Sequence, residues 1–315
     1  MIRLGLCCIF REEPIRFRQT TASVLARIGR REQLEKLSDL CTANLSNLLK
    51  ALQWCHIHRI GAFRILSPLF PRFTHPDVGY RLEHLENHTE ILRLCRTINR
   101  FRQEHDIRLS LHPDQFNVLS SPHEVVVANT IRELEYQGKL AELLGADVIN
   151  IHAGGAYGNK EEALMRFQVN FDLLSERVAA RLTVENDDRV YTPVDLLPLS
   201  STVGIPLVYD VHHHRCLPDN LDIAEATSLC LETWKRVKRE PNFHISSPQD
   251  GWQGQNIKNH ADYIDPTDFP EEWMQLDATV DVEAKAKELA VLRLRDDLDS
   301  LLQVHHEWIR NESPV

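Results

Sequence analysis

The chain has 315 residues, 43% of them hydrophobic and 26% charged, with a net charge of −10. That make-up describes a globular protein with ample core material, and no run approaches the roughly 18 apolar residues that a membrane span needs. The acidic balance argues against a nonspecific nucleic-acid binder, although residues 1–31 hold seven arginines against Glu12 and Glu13, a basic rim able to grip phosphates.

Residues 2–9 read as a first strand; the apolar opening 1–10 is broken by Arg3 and runs straight into Arg11-Glu12-Glu13, which makes it a poor signal peptide. A helix is expected over 33–58, where Leu34, Leu37, Leu40, Cys41, Leu45 and Leu48 recur at three- and four-residue steps. A strand at 61–66 precedes a helix over 83–105, with Ile91, Leu94, Cys95 and Ile98 on one stripe. Strand 107–111 precedes helix 123–144, and strand 147–151 precedes helix 160–180. Strand 182–184 leads to a short helix near 194–199, with Thr192 as N-cap and Pro193 at the first helical position. Strand 206–209 precedes helix 221–237, and strand 242–246 precedes only a short helical stretch near 259–263. Residues 274–282 form the last strand and 283–302 the last helix.

Strands separated by helices are parallel neighbours joined by crossovers, and eight such units predict a (β/α)8 TIM barrel in preference to an open doubly wound sheet. One domain is expected over 1–303, with 304–315 as a C-terminal tail. The longest irregular stretches, 10–30, 67–82 and 247–258, follow strands one, two and seven and read as functional loops at the active face. The seven cysteines show no CxxC spacing, which fits reduced, mostly buried thiols and a cytoplasmic location.

The strand ends carry the chemistry. Asp210, His212, His213 and His214 follow the apolar run 204–209, while His112, His152, Glu185, His244 and Glu283 close or follow other strands. In this barrel those ends form one ring at the active face. Any one of them alone reads as a core residue satisfied by backbone. Gathered together, they are costly to desolvate without cations. Mixed imidazoles and carboxylates suit Zn²⁺, Mn²⁺ or Fe²⁺, and an all-oxygen Mg²⁺ or Ca²⁺ site would not need the histidines. The set exceeds what one ion takes, so a multi-metal cluster bridged by Glu185, Asp210 and Glu283 is expected, with these as the catalytic carboxylates. Clustered metals serve phosphodiester hydrolysis and also sugar isomerases and epimerases, and ligand chemistry leaves both open.

Longer motifs narrow the choice. Thr74-His75-Pro76-Asp77-Val78, His112-Pro113-Asp114-Gln115-Phe116, the run from Ile149 through His152-Ala153-Gly154-Gly155-Ala156-Tyr157-Gly158-Asn159-Lys160, and Glu185-Asn186-Asp187-Asp188 resemble the UV damage endonuclease family. Asp210-Val211-His212-His213, His244-Ile245-Ser246-Ser247, His260-Ala261-Asp262-Tyr263 and Val282-Glu283-Ala284-Lys285 continue the resemblance in order along nearly the whole chain. The resemblance implies a TIM barrel related to endonuclease IV and incision of double-stranded DNA immediately 5′ to UV photoproducts and related lesions. It implies up to three divalent ions, manganese first, with Zn²⁺, Co²⁺ or Mg²⁺ as the other candidates. It implies His75, His112, His152, Glu185, Asp210, His213, His244, His260 and Glu283 as ligands, His213 being preferred over His212 and His214. Gln115 and Phe116 match positions that insert at the lesion, and Tyr157, Asn159 and Lys160 form a turn suited to DNA contact.

Two positions depart from the family pattern. Leu6 stands where a Tyr at the active site is usual, and Asn242 stands where a Lys that can be carboxylated is usual; an amide cannot become an anionic carbamate. These departures keep a damage-binding protein with weak or no incision beside the nuclease reading. No membrane and no protein partner is implied, and a DNA-bound form would sit on the nucleoid.

Overall fold

Eight parallel strands close into a barrel in sequence order: β1 (Arg3–Cys7), β2 (Ala62–Ile65), β3 (Arg108–Leu111), β4 (Val148–His152), β5 (Leu182–Glu185), β6 (Leu207–Asp210), β7 (Asn242–Ile245) and β8 (Thr279–Val282). The computed structural model describes residues 2–312, with backbone only for 302–312. β8 pairs with β1 from Arg3↔Thr279 to Leu6↔Val282 and closes the ring. The helices are α1 (Ala22–Leu25), α2 (Arg30–Ile57), α3 (His88–Glu104), α4 (Glu124–Leu144), α5 (Lys160–Phe171), α6 (Glu176–Ala179), α7 (Pro193–Val203), α8 (Val211–Cys216), α9 (Ile223–Val237) and α10 (Glu288–Glu312). Among the described residues no helix is long and apolar enough to cross a membrane.

Strand alternation sorts the side chains. Leu6, Phe63, Leu109 and Val280 are fully buried in one hydrophobic cluster with residues of the surrounding helices, such as Leu45, Ile91 and Leu134. The other face, inside the barrel, is unusually polar. Ser110 and Arg64 meet Asp281 there, and Asn150 donates to Glu185 and accepts from the Thr183 hydroxyl at 2.9 Å. Barrel interiors are usually filled by branched apolar side chains, so this polar filling is tied to what stands above it. At the opposite end Trp234 of α9 packs on Val148 and Val208, donates from Nε1 to the Leu207 carbonyl at 2.8 Å, and carries the guanidinium groups of Arg108 and Arg239 over its ring.

The local signals explain most element ends. Thr192 and Asp195 form a reciprocal capping box on α7 with Pro193 in its first turn, and Gly145 ends α4 at φ +79. Four expectations change. The helix expected over 160–180 breaks into α5 and α6. The stretch near 259–263 is not helical: His260 instead bridges back to Pro248, and the segment before β8 forms two 3₁₀ turns, Pro266–Asp268 and Glu271–Gln275. α8, directly after β6, was not foreseen, because a six-residue helix centred on three histidines has no apolar period. The last helix, expected over 283–302, runs from Glu288 to Glu312.

One further tie matters for the active face. Glu288, the first residue of α10, is buried, and its carboxylate accepts the backbone N–H groups of Arg11 and Glu12 at 2.7 Å and of Glu13 at 3.1 Å. The loop after β1 is thereby fastened to the start of the last helix.

Candidate metal centre

The site is assembled by register. His152 and Glu185 face each other across β4 and β5, and Asp210 and His244 across β6 and β7. Glu283 directly follows β8, its N–H donating to the Ile245 carbonyl at 2.9 Å. Asp210 caps α8 by accepting the His213 N–H at 2.7 Å, which turns His213 back over the ring. Asn186 holds that corner: its amide donates to the Asp210 carbonyl at 2.9 Å and accepts the Asp210 N–H at 3.0 Å. His260 reaches the site from the β7–β8 connection, where Ala261 N–H donates to Ser247.

Glu185 is the hub. Its Oε2 lies 3.1 Å from His112 Nε2 and 3.9 Å from His152 Nε2, and its Oε1 lies 3.3 Å from His213 Nδ1 and 3.1 Å from His244 Nδ1. His213 Nδ1 is also 3.5 Å from Asp210 Oδ2. Glu283 meets His244 at 3.5 Å and His260 at 3.9 Å. Eight of the nine expected ligands therefore form one connected knot at the mouth of the barrel.

Burial alone would raise the Glu185 carboxyl, but His244 and His152 hold it well below the ordinary carboxylate range. Burial would raise Glu283 as well, and there Arg64, ahead of His244, holds it down. Burial drives His152 below the usual imidazole value, which favours the neutral ring. Burial has the same tendency at His213, where Asp210 and Glu185 outweigh it and raise the ring.

The donor set fits divalent cations. His112, His152 and Glu185, and again Glu185, Asp210 and His213, place ligand atoms within 4.8 Å of one another. Three buried atoms of the knot, His152 Nδ1, Asp210 Oδ2 and His244 Nδ1, have no hydrogen-bond partner among the described residues. Buried polar atoms without partners are costly, and cations held in the knot would engage Asp210 Oδ2 and His244 Nδ1, which face its carboxylates and imidazoles.

Other expected residues separate. His75 stands apart from the knot: its Nδ1 accepts from the Asp77 and Val78 N–H groups, and it lines a different cavity with Arg81 and Arg132. Of the three consecutive histidines only His213 meets Glu185; His214 bonds Tyr209 and Asp219, and His212 is buried against Trp252 and His260. Gln115, Phe116 and Tyr157 line a cavity of about 780 Å³ together with His152, His213 and Arg189. Phe116 is 76% exposed, so it is not a buried loop hydrophobe. Asn159 is spent on capping α5 through the Glu161 and Glu162 N–H groups, and Lys160 pairs with Asp195 at 2.7 Å. Leu6 is fully buried in the hydrophobic cluster, one residue from Gly5, which faces Asp281 inside the barrel. It packs the wall and presents no surface at the mouth. Asn242, two residues before His244 on the same strand, is buried with both amide atoms unpartnered among the described residues.

Arg64 and Asp281 escaped the sequence reading. Each is a charged residue within a strand, in Ala62-Phe63-Arg64-Ile65 and Thr279-Val280-Asp281-Val282. Their polar–apolar alternation was the available signal that they face the barrel interior.

The family model for UV-endonuclease UvdE matches residues 2–309. The chain belongs to that family. A UvdE relative from Bacillus velezensis, a UV DNA damage endonuclease, is 33% identical over 305 residues, covering 93% of this chain and 92% of its own. One from Bacillus cereus strain Q1, of the same name, is 32% identical over 290 residues, covering 89% of each. The crystal structure of SacUVDE superposes with a TM-score of 0.83 at 30% identity, over 96% of this chain and 99% of that one. Endonuclease IV from Thermus thermophilus (TM-score 0.58, 16% identity, 81% of this chain and 94% of that one) shares the fold. So does D-psicose 3-epimerase from Clostridium cellulolyticum (TM-score 0.56, 11% identity, 96% and 98%). The barrel itself is thus common to nucleases and epimerases, and UvdE membership is what separates them.

Proposed function

We propose that this protein is a metal-dependent DNA-repair endonuclease that nicks double-stranded DNA immediately 5′ to UV photoproducts and related lesions. The observation that carries the reading is the knot around Glu185 in a UvdE barrel. Two or three divalent ions, manganese first, would be held by His112, His152, Glu185, Asp210, His213, His244, His260 and Glu283, with His75 added on the family resemblance alone. Bound there, such ions supply an activated water and charge stabilisation at a phosphoryl centre.

The chain's own residues do the rest. Glu185, almost fully buried, is held charged by the imidazoles around it, and the buried Asp210 fixes His213 through its N–H. Gln115 and Phe116, on the loop after β3, would enter a stack already weakened by damage, where unstacking costs least, and the exposure of Phe116 supports this role. The adjacent cavity, about 780 Å³ and bordered by Tyr157 and Arg189, has room for displaced bases beside the knot. Asn159 and Lys160 act in this reading by shaping the turn that carries Tyr157. The enzyme would work in the cytoplasm, on the nucleoid.

An end-labelled duplex with a single thymine dimer, incubated with the protein and Mn²⁺, tests the proposal. A single cut on the 5′ side of the dimer, abolished by chelator, is the expected result. An uncut strand across Mn²⁺, Co²⁺, Zn²⁺ and Mg²⁺ would refute nuclease action, and tight binding without incision would favour a damage-binding role.

A further inference from the structure

The His244 ring separates two charged layers. Its Nδ1 faces the knot, 3.1 Å from Glu185 Oε1 and 3.5 Å from Glu283 Oε1. Its Nε2 faces into the barrel, 2.8 Å from Arg64 Nη2 and 3.7 Å from Asp281 Oδ2. Asp281 lies opposite His244 in the β7–β8 register and is 1% exposed. Its Oδ2 accepts from Arg64 Nε at 3.3 Å and Nη2 at 3.1 Å, whereas its Oδ1 has no hydrogen-bond partner among the described residues. Space for this carboxylate comes from Gly5, where a Cβ would fall 2.0 Å from Asp281 Oδ1. Burying a carboxylate costs more than one arginine, itself shared with Glu283, returns. Asp281 is two residues before Glu283 and therefore one layer below the knot. Asn242, the polar neighbour on β7, carries no charge, so Asp281 is the anion on this side of the ring.

A neutral imidazole that gives its Nδ1 lone pair to a metal carries its proton on Nε2. Arg64 Nη2, 2.8 Å away, can only donate: it bonds an unprotonated Nε2 and cannot accept that N–H. Asp281 Oδ2, 3.7 Å from Nε2, is the anionic acceptor on that side of the ring. We propose that Asp281 is a positioning residue for metal binding: it accepts the Nε2 proton of His244 and fixes the ring in the tautomer that presents Nδ1 to a divalent ion. Arg64 then keeps its donors on Asp281 and Glu283 and balances their charge. Carboxylates behind ligating histidines commonly act in this way. The inference rests on the reading of the knot as a metal site.

Asp281→Asn in the full-length protein tests it, with Co²⁺ as the probe after chelator treatment, read by calorimetry and by visible absorption. Co²⁺ should bind about 10–100-fold more weakly, with shifted absorption bands. In a His244→Ala background the same substitution should add no further loss, because Asp281 acts through that ring. Co²⁺ affinity and spectrum unchanged in Asp281→Asn, or an equal loss in both backgrounds, would overturn the inference. Wild-type protein that binds no Co²⁺ would overturn the metal reading and this inference with it, whereas wild-type binding with an unaffected variant would overturn only the role of Asp281. Should Asp281→Asn fail to fold, the pair Arg64→Met with Asp281→Leu removes both buried charges together, a change folds tolerate better. That pair should bind Co²⁺ more weakly than Arg64→Met alone, and equal binding would again overturn the assignment.

Discussion

Glu185 joins both ligand triads, and its two oxygens touch four different histidines. Glu185→Gln keeps the shape and removes the charge that those rings share. Incision should fall by more than the roughly 10–100-fold typical of changes behind a ligand, and bound manganese measured by elemental analysis should fall with it. Full metal content in the variant would show that the carboxylate is no ligand. Phe116 presents the opposite case, a large ring left in solvent. Phe116→Ala should leave the melting curve within about 0.5 kcal/mol of wild type, as surface changes do. Stacking is worth about 1–3 kcal/mol per base, so incision at a dimer in intact duplex should drop roughly 5- to 150-fold. A substrate already unpaired at the lesion should be cut nearly as well as by wild type, and equal losses on both substrates would contradict a wedging role.

At the scale of elements, the lower rim of the barrel is tied by ion pairs. Arg108, at the start of β3, donates from Nε and Nη2 to Asp147, just before β4, at 3.0 and 2.9 Å. Burial would raise the Asp147 carboxyl, but Arg108 more than offsets it and holds the group below its ordinary value of 3.8. A depressed carboxyl contributes stability that is fully present above the unfolded value and is lost as pH falls through the folded one. Asp147→Asn should therefore melt below wild type at pH 7, and the gap should close as the pH drops below about 4. A gap that persists unchanged to pH 2 would place its cause in packing instead of charge. The strands and their ligand-bearing ends were legible for a related reason. His112 and His152 follow alternating segments, Ile107-Arg108-Leu109-Ser110-Leu111 and Val148-Ile149-Asn150-Ile151, and Glu185 follows Leu182-Thr183-Val184, short stretches with a strand's pattern. α8 was illegible because its fold depends on the Asp210 cap and not on an apolar period. His260 was illegible to pattern alone because a bridge to Pro248 places it, and the family resemblance supplied it.

Across the whole molecule, an acidic protein has to approach a polyanion by a local route. Part of the basic rim is already engaged: Arg11 pairs with Asp262 at 3.6 Å, Arg31 with Glu35 at 2.8 Å, and Arg30 bonds the Val78 and Gly79 carbonyls. Arg18 and Arg27 remain exposed. Binding to damaged duplex should weaken linearly in log–log terms as salt rises. Replacing Arg18 and Arg27 with alanine should flatten that slope by about 1 for each one that meets a phosphate. An unchanged slope would place the contacts elsewhere. The arginine cluster was visible in the sequence, but its division into engaged and free members was not, since partners such as Asp262 lie more than two hundred residues away along the chain.

The tie between Glu288 and the loop after β1 joins the first and last units of the barrel at its working edge. Glu288→Ala should leave the barrel folded while trypsin cuts sooner after Arg11, Arg16 or Arg18, as followed by mass spectrometry of the first fragments. Unaltered cleavage would mean that the loop is ordered by other contacts. During synthesis, this stretch is made before strands two to eight and anchored only after them. A nascent chain that has exposed seven strands still has a loose front edge, and only the emergence of residue 288 from the ribosome can fasten it.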